Sequence, residues 1–349
     1  MTSASQFVPV SPPRIFEQAY SEDQHRRMMR MVRENGAWAL ILAQHFESPD
    51  EVLATTSGLI PEGFQPTWDM FLTPVFRGYI AKGHTVLYPE LEDCFFNPRF
   101  LELVRSYWKA EYARPESMLF NIQGPCPGTE RPHVDATRFR GVSEATTPVW
   151  VMNMMVKSGL FERWRAKKAQ VITWYYKGRV GGGFNYWPDG LHAEPRQIKA
   201  PMWGRAVVVE NEMMYHTAEA VGPADRRMPD GLTIESMMGP DPDTEEGWQI
   251  TTGDRVIQKI AADELRFLAH WGADVFSDYQ DLKRTLDHTD DIDNDQIFEI
   301  FVRDLRDRGI EFEVPSDPIT DQTFIGLLTR VYDPGVPAIQ PPEPTEIAA

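Results

Sequence analysis

The chain has 349 residues, 42% hydrophobic and 25% charged, with 35 Lys and Arg against 52 Asp and Glu and a formal net charge of −17. This is a soluble globular composition with apolar material for a large core, and its negative field argues against nucleic acid and membrane surfaces as partners. Two cysteines, Cys94 and Cys126, are too few for a disulfide framework or a four-thiolate zinc site; no apolar run approaches the ~18 residues of a membrane span; and residues 1–13 lack the layout of a signal peptide, so a cytoplasmic location is expected.

In chain order, residues 1–13 are rich in Ser and Pro and are expected to form a flexible arm. Ser21, Glu22 and Asp23 suit a helix start, and Met28, Met29 and Val32 recur at helical spacing, which predicts a helix over 21–33. Its arginines read as a solvated face. Gly36 stops it, and 37–46 reads as a strand. The middle third predicts strands at 118–123, 149–156, 170–176 and 205–215. They are separated by Gly124-Pro125, Gly181-Gly182-Gly183 and Pro188-Asp189-Gly190, with one helix around Leu160, Phe161 and Trp164. Strands punctuated this way suggest an antiparallel sandwich or barrel. From about 280 the period becomes helical. Ile297, Phe298, Phe301, Val302 and Leu305 share a face behind an Asp293 or Asn294 cap and stop at Gly309, and Phe324, Ile325 and Leu328 follow Asp321. The expected division is an arm at 1–13, a core at 14–280, a helical layer packed on it at 281–332, and a disordered Pro-rich tail at 333–349.

The chemistry centres on His133-Val134-Asp135. Residues two apart in an extended segment point the same way, so an imidazole and a carboxylate face a common point. A second such triplet, His288-Thr289-Asp290, sits in an acidic stretch with no later histidine to complete it and reads as solvated surface. The first triplet has a partner: the strand-like run from Gly204 leads to His216, about 80 residues on. Two His and one carboxylate form a facial triad that leaves metal positions open, the arrangement of non-haem Fe(II) oxygenases.

At this point the sequence resembles the Fe(II)/2-oxoglutarate-dependent oxygenases, and among them the phytanoyl-CoA-dioxygenase-like group, over roughly residues 20–270. The resemblance rests on four features: the His133/Asp135 pair, the Gly-rich turn 181–190, the strand running into His216, and the helix followed by Glu34-Asn35-Gly36-Ala37-Trp38. It implies a mainly β fold, a double-stranded β-helix or jelly roll with flanking N-terminal helices. It also implies His133, Asp135 and His216 as iron ligands, with Fe(II), 2-oxoglutarate and O2 as cofactor and cosubstrates. The family also uses an arginine to hold the distal carboxylate of 2-oxoglutarate, a task suited to a planar fork. Arg227 (with Arg226) lies at the expected distance after His216, but Pro229-Asp230-Gly231 would break a strand there. Arg266 opens a plausible final strand, 266–276, if an insertion around 239–246 with flanking strands intervenes, and it is preferred. Asn121 and Gln123 share a strand face and are candidates for the same pocket, although ordinary strand polarity also explains them. Trp174, Tyr175, Tyr176, Phe184, Tyr186, Trp187 and Met213 are expected near the site, either lining it for a partly apolar guest or filling the core.

The resemblance implies hydroxylation or a related oxidation of a small organic molecule, with release of succinate and CO2. Because Asp135 is a carboxylate rather than a Gly or Ala, halogenation is disfavoured. The rival readings are a non-catalytic jelly-roll binding module and a cupin-type metal-dependent hydrolase or isomerase. A homodimer is compatible with all of them.

Overall fold

The computed structural model describes residues 7–56, 64–143 and 145–341; the ends of the expected arm and tail, 1–6 and 342–349, lie outside the described residues. Among the described residues the strands run β1 (Arg14–Phe16), β2 (Trp38–Ala39), β3 (Phe76–Lys82), β4 (Thr85–Val86), β5 (Tyr112–Gln123), β6 (Thr129–His133), β7 (Lys168–Tyr176), β8 (Phe184–Trp187), β9 (Arg196–Ile198), β10 (Met202–Val209), β11 (Tyr215–Ala218), β12 (Met237–Pro240), β13 (Trp248–Thr252), β14 (Arg255–Ile260) and β15 (Arg266–Phe276).

Their pairing defines the architecture. One sheet has the order β1-β10-β7-β15-β5-β3-β4 and a second the order β6-β11-β8-β9. Leave aside β1, β3 and β4 and the insertion, and eight strands remain: β5 to β11 and β15. First pairs with last, second with seventh, third with sixth and fourth with fifth: β5–β15, β6–β11, β7–β10 and β8–β9, all antiparallel. That nested pairing is a double-stranded β-helix, as expected. The insertion between β11 and β15 holds β12 to β14, which join β2 in a small sheet of order β14-β13-β12-β2 and place strands on either side of 241–247.

Three apolar layers hold the sheets. Between them lie Ile172, Trp174, Phe184, Tyr186, Val207, Val209 and Met214. The outer face of the large sheet, with Phe120, Phe267 and Trp271, is covered by Met28 and Val32 of the helix Glu22–Glu34 and by Phe100 and Val104 of the helix Pro98–Trp108. The first of these helices is capped reciprocally by Ser21 and Gln24. Against the outer face of the small sheet, Trp187 and Tyr215 meet Phe298, Phe301 and Leu305 of the helix Asn294–Asp307 and Phe324 and Leu328 of the helix Gln322–Tyr332. Asp293 and Asp321 cap these two helices, as the sequence suggests. No helix among the described residues is long and apolar enough to cross a membrane.

Several elements differ from expectation. Residues 149–156, expected as a strand, form the helix Val149–Ser158. The run Val-Trp-Val-Met-Asn-Met-Met-Val is buried on every side, so neither period shows in it, and Gly159 ends it in the left-handed conformation at φ 70. The helix expected around Leu160–Trp164 is a single turn, Glu162–Trp164, that leads directly into β7. Residues 37–46 hold only the two-residue β2 and then a short helix, Ile41–His45. The run 205–215 is broken after Val209 by the turn Asn211–Met213, which lets β10 and β11 enter different sheets.

The arm and tail also differ. Phe7 is buried edge-on against Tyr215 at 5.3 Å, and the amide of Val10 donates to Glu210 Oε2 at 2.8 Å. Trp187 Nε1 donates to the carbonyl of Ile339 at 3.0 Å, Tyr215 Oη donates to that of Gly335 at 2.9 Å, and the amide of Ala338 donates to the carbonyl of Leu191. Buried aromatic N–H and O–H groups need acceptors, and the backbone of 335–339 supplies them. Truncation after Asp333 should therefore destabilise the fold by about 1–3 kcal/mol for each donor left unpaired, visible as a lower urea midpoint. An unchanged midpoint would show that the tail adds nothing.

Two histidines away from the metal centre carry a pH dependence. His25 stacks on Tyr175 with ring centroids 3.8 Å apart, and burial, aided by Lys177, pushes its pKa down from 6.5 to about 4. His45 accepts from Arg77 Nη1 at 2.8 Å, and burial followed by Arg77 lowers it likewise to about 4. Between those values the unfolded chain binds protons that the folded chain does not, so stability is full above 6.5 and falls as pH drops toward 4. Thermal midpoints measured across this window should fall with pH, and His25→Phe, which stacks but cannot protonate, should flatten part of the slope. An unaltered slope in the variant would remove His25 from the account.

Candidate metal centre

The small sheet builds the centre. His133 ends β6, and His216 on β11 is its register partner, so the two rings face each other with centroids 4.5 Å apart. Each Nδ1 lies 3.0 Å from the carbonyl oxygen two residues earlier, Arg131 for His133 and Met214 for His216. A carbonyl can only accept, so Nδ1 carries the proton and a neutral ring presents its Nε2 lone pair. Asp135 is carried past the end of β6, and its amide donates to the carbonyl of Asn211 at 3.1 Å, tying it to the turn that precedes β11. Asp135 Oδ1 stands 3.4 Å from His216 Nε2 and 3.9 Å from His133 Nε2, and the three ligand atoms lie within 4.8 Å of one another. Burial pushes the Asp135 carboxyl up, but without a metal a proton on His216 Nε2, standing where the metal would, outweighs it, with smaller contributions from His270 and His133, and holds the pKa far below the usual range. The Phe184 ring packs 5.5 Å from that of His216. Two imidazole nitrogens and one carboxylate oxygen converging from one side are a donor set for a divalent transition metal with open positions.

The large sheet builds a second feature inside the barrel. Arg266 opens β15 directly opposite Gln123 on β5, and Leu268, next on the same face, pairs with Trp174 on β7. Arg266 is 2% exposed, donates from Nε to the carbonyl of Gly182 at 2.8 Å, and among the described residues forms no ion pair, the buried Glu219 carboxyl acting on it from further off. Burial lowers its pKa to about 10. Arg266 Nη2, Gln123 Nε2 and Trp174 Nε1 are all buried without acceptors. These three donors stand at neighbouring inward positions of adjacent strands, one of them on a cation, a set that suits a carboxylate. The Gly-rich turn shapes it: Gly182 has φ +81, and a Cβ there would fall 2.5 Å from the Tyr176 ring. Only glycine brings that carbonyl onto Arg266.

The other candidates are placed differently. Arg227 sits on a partly exposed loop after the turn Ala224–Arg226, with Nε on the carbonyl of Gly222 at 2.9 Å, and Arg226 pairs with Glu264. Asn121 faces the interior but accepts from Arg77 Nε at 2.9 Å. The expected aromatic group is split: Trp174, Phe184 and Tyr186 line the interior, Tyr175 stacks outside on His25, and Trp187 and Met213 belong to the helical layer. Alternation along each strand accounts for the split. His288 pairs only with Asp291, at 2.7 Å. Sequence reasoning missed His270, which shares the inward face of β15 with Arg266 and is held to about 4 by burial, partly offset by Asp135. It also missed Gln170, whose Oε1 accepts from the amide of Asn211 at 3.1 Å, fixing the carbonyl-bearing turn behind Asp135. The period-two pattern of β15 and β7 carried both signals.

No protein-family model matches the chain, and no curated protein sequence is similar to it. Among solved structures it is similar to an oxidoreductase of the 2OG-Fe(II) oxygenase family from Burkholderia pseudomallei, at 10% identity over 76% of this chain and 86% of that one, with a TM-score of 0.39. It is also similar to the collagen prolyl hydroxylase of Paramecium Bursaria Chlorella virus-1, at 8% over 75% and 96%, TM-score 0.36. A third is HygX from Streptomyces hygroscopicus, solved with nickel, 2-oxoglutarate and hygromycin B, at 7% over 77% and 85%, TM-score 0.37. Likenesses this distant leave the chemistry to be argued from the side chains themselves.

Proposed function

We propose that the protein is an Fe(II)- and 2-oxoglutarate-dependent oxygenase acting on a small organic molecule. One juxtaposition carries the reading: a two-His, one-carboxylate donor set at one end of the barrel, and inside it a buried guanidinium in no ion pair among the described residues, with two further unpaired donors. Fe(II) with 2-oxoglutarate and O2 would supply the oxidation of a C–H bond, with succinate and CO2 released. His133, Asp135 and His216 would hold the metal, each ring aimed by the carbonyl behind it. Arg266 would take the distal carboxylate in its planar fork, with Gln123 and Trp174 as neutral donors beside it. Phe184, Tyr186 and Val209 keep water from the interior wall. Asp135 fills the third protein position with a carboxylate, which favours hydroxylation over chemistry needing a further open site. A hydrolase would use the triad but has no role for the buried Arg266 cradle.

The test is aerobic incubation with Fe(II), 2-oxoglutarate and a panel of small polar molecules, following succinate. Release that requires both O2 and one panel member is expected. Turnover with zinc and without O2 would instead establish the hydrolase.

A further inference from the structure

The inward face of β15 carries Arg266 at one end, His270 in the middle and Asp274 at the other end. Asp274 lies four residues from His270, about 13 Å along a strand. There a cleft of about 170 Å3 opens, lined among others by His84, Arg114, Arg138, Lys167 and Asp274. Arg138 comes three residues after Asp135, on the segment that leaves the metal centre. We propose that this cleft binds an anionic group, a carboxylate or a phosphate, carried by the molecule oxidised at the metal centre. Its assignment to that molecule rests on the oxygenase reading; its affinity for anions does not.

The charge arrangement carries the argument. Arg138 bridges Glu116 Oε1 at 3.2 Å and Asp274 Oδ1 at 2.6 Å, Arg114 reaches Asp274 Oδ2 at 3.1 Å, and Lys168 reaches Glu116 Oε2 at 3.2 Å. Of the side chains that line the cleft, Arg114 and Arg138 share the single carboxylate of Asp274, with Arg138 reaching also to Glu116, in a chain whose net charge is −17. Both guanidinium groups also keep a buried Nε–H with no acceptor. Lys167, paired with Asp281 at 2.6 Å, closes the same cleft. An anion entering here meets two guanidinium forks, which read planar or tetrahedral oxyanions and already hold carboxylate oxygens of Asp274.

The experiment is calorimetric titration of the metal-free full chain with inorganic phosphate and, separately, with acetate. Metal-free protein keeps the iron site out of the readout, and an Arg266→Gln background for the parent chain and every variant does the same for the carboxylate cradle inside the barrel. Saturable binding of one anion per chain is expected, the tighter of the two probes identifying the group. Arg138→Gln and Arg114→Gln should weaken it about tenfold or more. Asp274→Asn, which removes the competing carboxylate, should tighten it severalfold, a gain that no folding defect would produce. Absence of saturable binding to either probe, or equal affinity in the parent chain, Arg138→Gln and Asp274→Asn, would show a purely structural ion network and overturn the proposal. Failure of succinate release with phosphate binding intact would instead strike the oxygenase reading alone.

Discussion

His216→Ala should abolish Fe(II) binding and, with it, every turnover that depends on the metal. Loss of partners that merely orient a ligand costs metal affinity about 10–100-fold, and loss of a ligand itself should exceed that. His133→Ala should behave alike, because the two rings are register partners on adjacent strands and each presents Nε2 to the same point. Asp135→Ala removes the only anionic donor of the set and should be at least as severe. His288→Ala is the control: its ring is exposed and paired to Asp291, while Asp290 of the same triplet is held by Arg140, so the change should leave iron affinity within about twofold of wild type. Equilibrium dialysis with Fe(II) under anaerobic conditions reads all four. Full affinity in any of the three ligand variants would displace the assignment.

Arg266→Lys should raise the apparent KM for 2-oxoglutarate by about tenfold or more, since lysine keeps the charge but loses the fork and, with it, one charge-assisted hydrogen bond. Arg227→Lys should change it less than about twofold, because that side chain stands on a partly exposed loop with its Nε already on the carbonyl of Gly222. Initial-rate measurements on both variants separate the two. The reverse order would place the carboxylate beside Arg227 and leave the three buried donors around Arg266 without a ligand.

The metal centre was more legible in the sequence than its surroundings. His133 and Asp135 are local, two residues apart at a strand end, and His216 follows a strongly apolar strand, so the residues themselves announce the cluster. Arg266 needed one further step, recognition that strands bracket 239–246, and β12 to β14 occupy that stretch. What stayed hidden depends on contacts between distant segments. The helix Val149–Ser158 has no period to read because all its faces are buried. The tail looks disordered by composition, yet its backbone satisfies Trp187 and Tyr215, a demand set by residues more than a hundred positions earlier. The cationic cleft draws on β3–β4, β5, β7, β15 and the segment after Asp135, and no single stretch of sequence shows it.

The account's central claim is that a metal and a dicarboxylate share this barrel, the first on the triad and the second on Arg266. Its most direct measurement is anaerobic titration of 2-oxoglutarate into the protein with and without Fe(II). One 2-oxoglutarate per chain, binding much more tightly when Fe(II) is present, is the predicted result, with the gain lost in His216→Ala and the metal-independent part lost in Arg266→Gln. Binding of 2-oxoglutarate that ignores both the metal and Arg266, or no binding at all to the Fe(II)-loaded chain, would contradict it.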